Sequence, residues 1–301
     1  MSHSRSLLQR LQNQEQLNFW LTNRIPRKLL TRWMGRFSRI ENRWLAAASI
    51  RVWRLFADDL RLDEAETQEF TSLQACFTRR LKPGVRPLDP DPDCLVSPCD
   101  AVIGAHGTVE DGLLLQAKGM VYRLAELLRD PDLAAAHRDG CYVTLRLKSS
   151  MYHRFHAPCD GRIERLDYIG GEVFNVNPPA LARIPGLFCC NERAVLPLIP
   201  SPATPSGRPS GSPPAPITLV PVAAVLVASM RFRFLDPGFD LRRAGPRRIE
   251  CAASFRRGDE LGHFEHGSTL IVLTGPGFVL AESLHSGDII RMGQALLRRI
   301  A

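Results

Sequence analysis

A chain of 301 residues with 45% hydrophobic content can bury a sizeable core, which excludes wholesale disorder and favours one large domain with an appendage. The formal net charge of +8 points to an acidic partner, either nucleic acid or an anionic membrane surface. Eight cysteines are scattered without a C-x-x-C pair, which argues against a zinc site and a disulfide framework and leaves reduced thiols as the simpler reading.

The first residues, Met1 to Gln16, are polar and lack the apolar core of a secretory signal. No window reaches the roughly 18 consecutive apolar residues of a membrane-spanning helix. The chain is therefore expected on the cytoplasmic side. From Leu17 to Phe56 all four tryptophans (Trp20, Trp33, Trp44, Trp53) alternate with arginines and one lysine, against a single acid, Glu41. Pro26 suits a helix start, and Leu29, Leu30, Trp33, Phe37 and Ile40 recur at three- and four-residue intervals, with Trp44, Leu45 and Ala48 carrying the pattern on. The spacing predicts basic amphipathic helices. Their apolar face fits an anionic bilayer interface or the protein's own core, and nucleic acid is a weaker third choice because no recognised binding motif accompanies the charge.

Asp58 to Gln68 is acidic and helix-prone, and a further helix is predicted over Phe70 to Leu81, ended by Lys82-Pro83-Gly84. A proline-rich turn region, Pro87 to Pro92, precedes the predicted catalytic domain, residues 94–301, and residues 1–93 form the N-terminal helical region. Short apolar or alternating runs predict strands at Cys94 to Val96, Ala101 to Gly104, Leu113 to Gln116, Tyr142 to Leu147 and Gly161 to Ile163. Tyr122 to Leu128 predicts one helix, closed by Asp130-Pro131. Residues 201–216 are low-complexity, rich in proline and serine, and read as a flexible loop. Beyond it Ile217 to Ser229 reads as buried strand, Arg231 to Arg248 as basic and irregular, and Ser268 to Leu273 with Asp288 to Met292 as the strands that close the sheet. The fold class is α+β: N-terminal helices followed by a β-rich, sandwich- or barrel-like core.

Gly267-Ser268 stands where a polar loop turns into an apolar run. Either it is an ordinary turn into a strand, or it is a bond at which the Ser268 hydroxyl attacks the Gly267 carbonyl, which carries no side chain to block the approach. The attack starts an N-to-O acyl shift; β-elimination from the ester and hydrolysis then leave a pyruvoyl group on the new N-terminus. Four further segments accompany it in order: Val96-Ser97-Pro98-Cys99-Asp100, Gln116-Ala117-Lys118-Gly119, Tyr152-His153-Arg154-Phe155-His156-Ala157-Pro158-Cys159-Asp160-Gly161 and Asn191-Glu192-Arg193. In order and spacing these resemble the phosphatidylserine decarboxylases of the bacterial, membrane-associated type, from about residue 17 to the C-terminus.

The resemblance implies self-cleavage between Gly267 and Ser268 and pyruvoyl-dependent conversion of phosphatidylserine to phosphatidylethanolamine and CO2. It implies that Asp100 and His156 serve as the base for the Ser268 hydroxyl and that His153 assists decarboxylation. It further implies two chains that stay associated, a homodimer, and a peripheral place on the cytoplasmic face of the cell membrane, without nucleic acid. An amino-acid decarboxylase needs an electron sink that no side chain supplies. Lys118 is the one lysine in a motif, and no glycine-rich phosphate loop supports pyridoxal phosphate, so the pyruvoyl group made from Ser268 is the expected cofactor. Taken singly, Asp100 can fix a turn, and His153 with His156 can be a surface cluster or a metal pair, although no third ligand stands near and no metal is expected. Both histidines reach one site only if Tyr152 to Ala157 bends, because i and i+3 face opposite ways in a strand. The rival readings are a serine hydrolase, for which Ser268 lacks the Gly-x-Ser-x-Gly elbow, an unprocessed membrane-binding relative, and a pyruvoyl decarboxylase of another amino-acid-derived substrate. His266, Cys99 and Ala228-Ser229 depart from the family's usual residues.

Overall fold

The computed structural model describes residues 26–57, 59–117, 119–201, 216–225, 229–265 and 268–300. Two helices lead in. α1 (Arg27–Ser38) follows Pro26, and α2 (Arg43–Phe56) starts at Asn42, whose side chain accepts a hydrogen bond from the Leu45 amide and so satisfies one of the donors a helix start leaves open. The buried residues of α1 are Thr31, Gly35 and Ser38, small side chains one and two turns apart, whereas Leu29 and Trp33 stand 65% and 62% exposed. α2 buries Ala46 and Ile50 and leaves Trp44 87% exposed, with Val52, Leu55 and Phe56 also open. Of the bulky side chains of this stretch, Ile50 packs in a small cluster with Leu60 and Phe70, and Trp53 stacks on Phe77, while Leu29, Trp33 and Trp44 stay open. Trp20 lies outside the described residues, and no described helix is long and apolar enough to cross a membrane.

Less helix follows than the pattern predicts. Within residues 59–68 only Leu62–Glu64 forms a 3-10 turn, entered from Arg61 in a left-handed conformation. The helix expected over Phe70 to Leu81 shrinks to α3 (Leu73–Phe77), capped by Ser72. Two residues beyond it, the buried Arg79 guanidinium donates to the carbonyls of Cys76, Leu60 and Ser150, contacts that draw the chain out of a helical path.

From there the chain is β-rich. The strands are β1 (Cys94–Val96), β2 (Ala101–Thr108), β3 (Leu113–Ala117), β4 (Met120–Arg123), β5 (Cys141–Leu147), β6 (Arg154–His156), β7 (Gly161–Ile169), β8 (Arg193–Pro200), β9 (Ile217–Val222), β10 (Met230–Phe232), β11 (Arg247–Phe255), β12 (Glu260–Phe264), β13 (Ser268–Thr274), β14 (Phe278–Leu280), β15 (Ile289–Ile290) and β16 (Ala295–Arg299). Eight make one sheet in the order β11-β7-β8-β9-β13-β5-β2-β15; β10-β12-β6 and β1-β16-β14 form two small sheets, and β3-β4 a hairpin. The large sheet is open, so the barrel alternative is corrected: β11 presents an exposed, alternating face at one edge, and β15, two residues long, ends the other. Every residue of β13 is buried, as expected of a Val/Ile/Leu run in a central strand.

Other expectations also need correction. Tyr122 belongs to β4, and α4 (Leu124–Leu128) ends at Arg129 in a left-handed conformation. Asp130-Pro131 opens a second helix, α5 (Pro131–Ala136), with the Asp130 carboxylate accepting from the Leu133 amide and proline in the first turn, where its missing N–H costs nothing. The strand expected to run to Ser229 stops at Val222, and the basic stretch read as irregular contains β10 and the start of β11. Most of the expected flexible loop, residues 202–215, lies outside the described residues.

His137, fully buried at the end of α5, has its Nε2 2.7 Å from Thr218 Oγ1 of β9, and burial pushes its pKa down to about 4. The unfolded chain takes that proton first, near 6.5, so stability is complete above that pH and is lost as pH falls from 6.5 toward 4, by a few kcal/mol at most. Denaturant unfolding of the Ser268→Ala chain at a series of pH values is expected to show this fall, and His137→Asn is expected to flatten it; an unchanged slope would refute the assignment.

Candidate functional site

Ser268 opens β13, facing Leu147 of β5 in register, and the next residue, Thr269, pairs with Arg146 of β5 and Val222 of β9. Ser268 is fully buried, and its Oγ has no hydrogen-bond partner among the described residues. Leaving a buried hydroxyl unbonded costs about 1–3 kcal/mol, a cost that the neighbouring Thr269 Oγ1 shares among the described residues. His266 and Gly267, which complete the expected scissile segment, lie outside the described residues, as does Lys118.

Upstream of those two residues the chain runs in a different sheet. β12 pairs with β6, Glu260 opposite His156 and His263 opposite Arg154, and the Phe264 amide donates to the His153 carbonyl at 3.0 Å. Gly262 is required here, because a Cβ would stand 2.3 Å from the Arg231 carbonyl and 2.6 Å from the Phe155 ring. The ladder sets the order of approach. His153 lies opposite Phe264, close to the scissile segment, while His156 is three residues farther back, about 10 Å at the rise of a strand.

The two histidines also have different surroundings. His153 is fully buried, stacked on Phe77 with ring centroids 4.1 Å apart and its Nε2 3.1 Å from the Ser149 carbonyl. His156 has Nδ1 2.8 Å from the Gly258 carbonyl and Nε2 2.9 Å from the Tyr152 hydroxyl. A carbonyl only accepts, so Nδ1 carries the hydrogen and Nε2 is the basic nitrogen, receiving the tyrosine O–H. Burial pushes the pKa of His156 down, opposed in part by the Gly258 carbonyl and, more weakly, by the charges of Glu260 and Asp100.

The Asp100 carboxylate accepts from Arg86 at 2.9 Å and 2.6 Å and from the Met292 amide at 2.9 Å. Arg86 bridges on to Glu64 at 2.7 Å. Burial works to raise the Glu64 carboxyl, but Arg86 and Arg61 outweigh it and hold it below its ordinary value. No hydrogen bond joins Asp100 to His156 among the described residues. Their link is through the backbone, where the His156 amide donates to the Pro98 carbonyl at 2.7 Å.

Sequence reasoning missed the groups that hold these side chains. Arg79 grips the loop before the histidines through the Ser150 carbonyl, and Arg154 reaches back to the Thr78 carbonyl at 2.6 Å. Phe77 forms the floor under His153, and Tyr152, quoted for its motif alone, sits on the basic nitrogen of His156. The N-terminal segment therefore wraps the candidate site. Its clearest sequence signal is the pair Arg79 and Arg86, arginines on either side of a Pro-Gly turn with no acid in between.

Ser268 is closed off from solvent, and a hydroxyl so placed cannot serve an outside substrate directly, which sets it apart from the exposed nucleophile of a serine hydrolase. The sequence profile described as phosphatidylserine decarboxylase matches residues 73–298. The chain is 34% identical over 282 residues to the "phosphatidylserine decarboxylase proenzyme" of Acidovorax ebreus, covering 91% of this chain and 95% of that one. It is 36% identical over 286 residues to the proteins of the same name from Pseudomonas fluorescens (90% and 93% covered) and Halorhodospira halophila (93% and 91%). The chain belongs to the phosphatidylserine decarboxylase family.

The His156 ring is expected to be neutral, with hydrogen on Nδ1, at pH 7 and to titrate below 6.5. Nitrogen NMR of the Ser268→Ala chain checks this; a midpoint above 6.5, or hydrogen on Nε2, would refute the environment described.

Proposed function

We propose that this chain is a proenzyme that cuts itself between Gly267 and Ser268 and then converts phosphatidylserine to phosphatidylethanolamine and CO2 on the cytoplasmic face of an anionic membrane. The observation that carries the reading is the buried Ser268 hydroxyl at the head of β13, which has no partner among the described residues. It fits a serine that is to be consumed. Its Oγ attacks the Gly267 carbonyl carbon, the Ser268 nitrogen leaves with a proton, and an ester replaces the amide. Loss of the Ser268 α-proton expels the Gly267 carboxylate, and hydrolysis releases ammonia, leaving a pyruvoyl group at the start of the chain Ser268 to Ala301. That group supplies the electron sink that decarboxylation of an amino acid requires.

The chain's own groups have three tasks: to take the Ser268 proton, to move protons at the substrate, and to keep the two products together. Asp100 and His156 are assigned the first by the family resemblance, and a neutral, buried imidazole is the form that can accept a proton. His153 is assigned the second. The ladder favours a second reading in which His153 also serves the cleavage, since it stands opposite Phe264 whereas His156 stands opposite Glu260, farther back along β12. β13 performs the third, because its pairing with β5 and β9 does not depend on the bond before it.

Support for the membrane comes from the outward-facing Leu29, Trp33 and Trp44 beside exposed Arg32, Arg36 and Arg43, an amphipathic surface suited to headgroups.

Intact-mass measurement is expected to give two chains for the wild type and one for Ser268→Ala, and borohydride with phosphatidylserine is expected to label the chain Ser268 to Ala301. Asp100→Asn and His156→Ala are expected to block cleavage, and His153→Ala to allow it while impairing turnover; blocked cleavage in His153→Ala selects the second reading. An uncut wild type would leave the unprocessed membrane-binding relative, and a labelled chain inert on phosphatidylserine would point to another amino-acid-derived substrate. In vesicle co-sedimentation, changing Arg32, Arg36 and Arg43 to glutamine is expected to weaken binding at low salt, by about 1 kcal/mol per cation. Changing Trp33 and Trp44 to serine is expected to weaken it at every salt concentration, because burial of apolar surface is not screened. Unchanged binding in both would remove the membrane reading.

A further inference from the structure

Three residues before Ser268 stands Glu265, an acid buried to 2% exposure. Its backbone amide donates to the Ser229 carbonyl at 3.0 Å, but its carboxylate is held almost wholly from the N-terminal region. Arg39, the residue that caps the C-terminal end of α1, donates to one oxygen at 2.7 Å, and Gln74 of α3 donates to the other at 2.7 Å. Arg231 of β10 is a looser neighbour, at 3.7 Å. On the far side, Ser268 is in register with Leu147 of β5, and from Thr269 onward the strand is paired on both sides, with β5 and β9.

The geometry is that of a short span of chain clamped at both ends. Two residues separate Glu265 from Ser268, and a chain advances at most about 3.6 Å per residue. Where Glu265 sits therefore limits where the Gly267 carbonyl can stand relative to the Ser268 hydroxyl. An attack of this kind is sensitive to small misplacement, because its rate depends on holding the reacting atoms in line.

We infer that Glu265 is a positioning residue for self-cleavage and that Arg39 and Gln74 carry its position from the N-terminal helices, so that maturation depends on α1 being seated. The inference rests on the self-cleavage reading above. A carboxylate this deeply buried must keep a cation or shift to find one. Without Arg39 the cation left to it is Arg231, and following that guanidinium moves the residue that fixes the upstream end of the span. Arg39 makes a single contact through one nitrogen, so a lysine at this position can take its place as a point charge.

The test is a pulse-chase of the full chain made by cell-free synthesis, with the two products followed on a gel. Arg39→Ala is expected to slow cleavage about tenfold, the factor that about 1.4 kcal/mol in the barrier produces, and Glu265→Ala at least as much. Arg39→Lys is expected to restore most of the rate, which a role confined to packing would not allow. Each change is also made in the uncut Ser268→Ala chain, where thermal unfolding is expected to stay close to that of the parent, separating slow chemistry from misfolding. Cleavage at the wild-type rate in a folded Arg39→Ala chain would overturn the inference. So would an Arg39→Lys chain as slow as Arg39→Ala, or a loss of stability in the uncut background large enough to account for the slowing. A wild-type chain that never cleaves would overturn the self-cleavage reading itself and this inference with it.

Discussion

The pairing of Ser268 with Leu147 of β5, continued on both sides of the strand by β5 and β9 from Thr269 onward, fixes the start of β13. Among the described residues nothing hydrogen-bonds the Ser268 hydroxyl, and the cost of that unbonded oxygen is borne by the apolar residues that follow it. Leu270 to Leu273 are all fully buried. The same ladder answers a difficulty of self-cleavage, that breaking a chain in its core ought to loosen the fold. Here the proposed break falls at the first residue of the strand, outside the run of paired residues. β13 and β16 then bind the shorter piece into two different sheets.

The other side of the scissile segment belongs to a small sheet, and the handover between the two sheets is where the histidines enter. β5 ends opposite Ser268, and the chain that continues from it, residues 148–153, crosses to the small sheet beside β12. The crossing loop needs restraint, because few of its groups belong to either ladder. Arg79 provides it through the Ser150 carbonyl and Arg154 through the Thr78 carbonyl, two guanidiniums that tie residues 78–79 and 150–154 to each other. Phe77 then closes over His153. An N-terminal segment that looks peripheral in the sequence is in this way part of the wall of the site.

What could be read from the sequence, and what could not, follows from the range of the forces involved. β13 was legible because a continuous apolar run has one economical use, and Pro26 suited the start of α1 by a rule of local geometry. β11 was missed because its start, Arg247-Arg248, read as part of a basic irregular stretch, whereas on an edge strand with an exposed face such charges are at home. Ser268 and the two histidines were singled out through motifs, but their mutual arrangement was not legible. Asp100 was expected on His156 and sits on Arg86, and the choice between those partners depends on a turn that no local pattern specifies. Glu265 gave no sign at all. Its partner Arg39 lies 226 residues away, and sequence periodicity carries no information at that distance.

α1 poses the reverse of the usual packing problem. A helix that buries Thr31, Gly35 and Ser38 removes little apolar surface from water, so the hydrophobic term does not hold it firmly in place. Polar contacts at its two ends do the holding: Arg27 and Lys28 on Glu172 at the start, Arg39 on Glu265 at the finish. Lys28 and Arg27 draw the Glu172 carboxyl below its ordinary value, against the pull of burial, as expected of a pair kept charged. Meanwhile Leu29 and Trp33 remain in water, each side chain like Leu29 forgoing about 1.5–3 kcal/mol that an apolar environment would return. Under the membrane reading proposed above, a bilayer would return it without competing for the inner face, since the small residues already lie against protein. The ion pairs beneath α1 hold its position, and one of them ends three residues from Ser268.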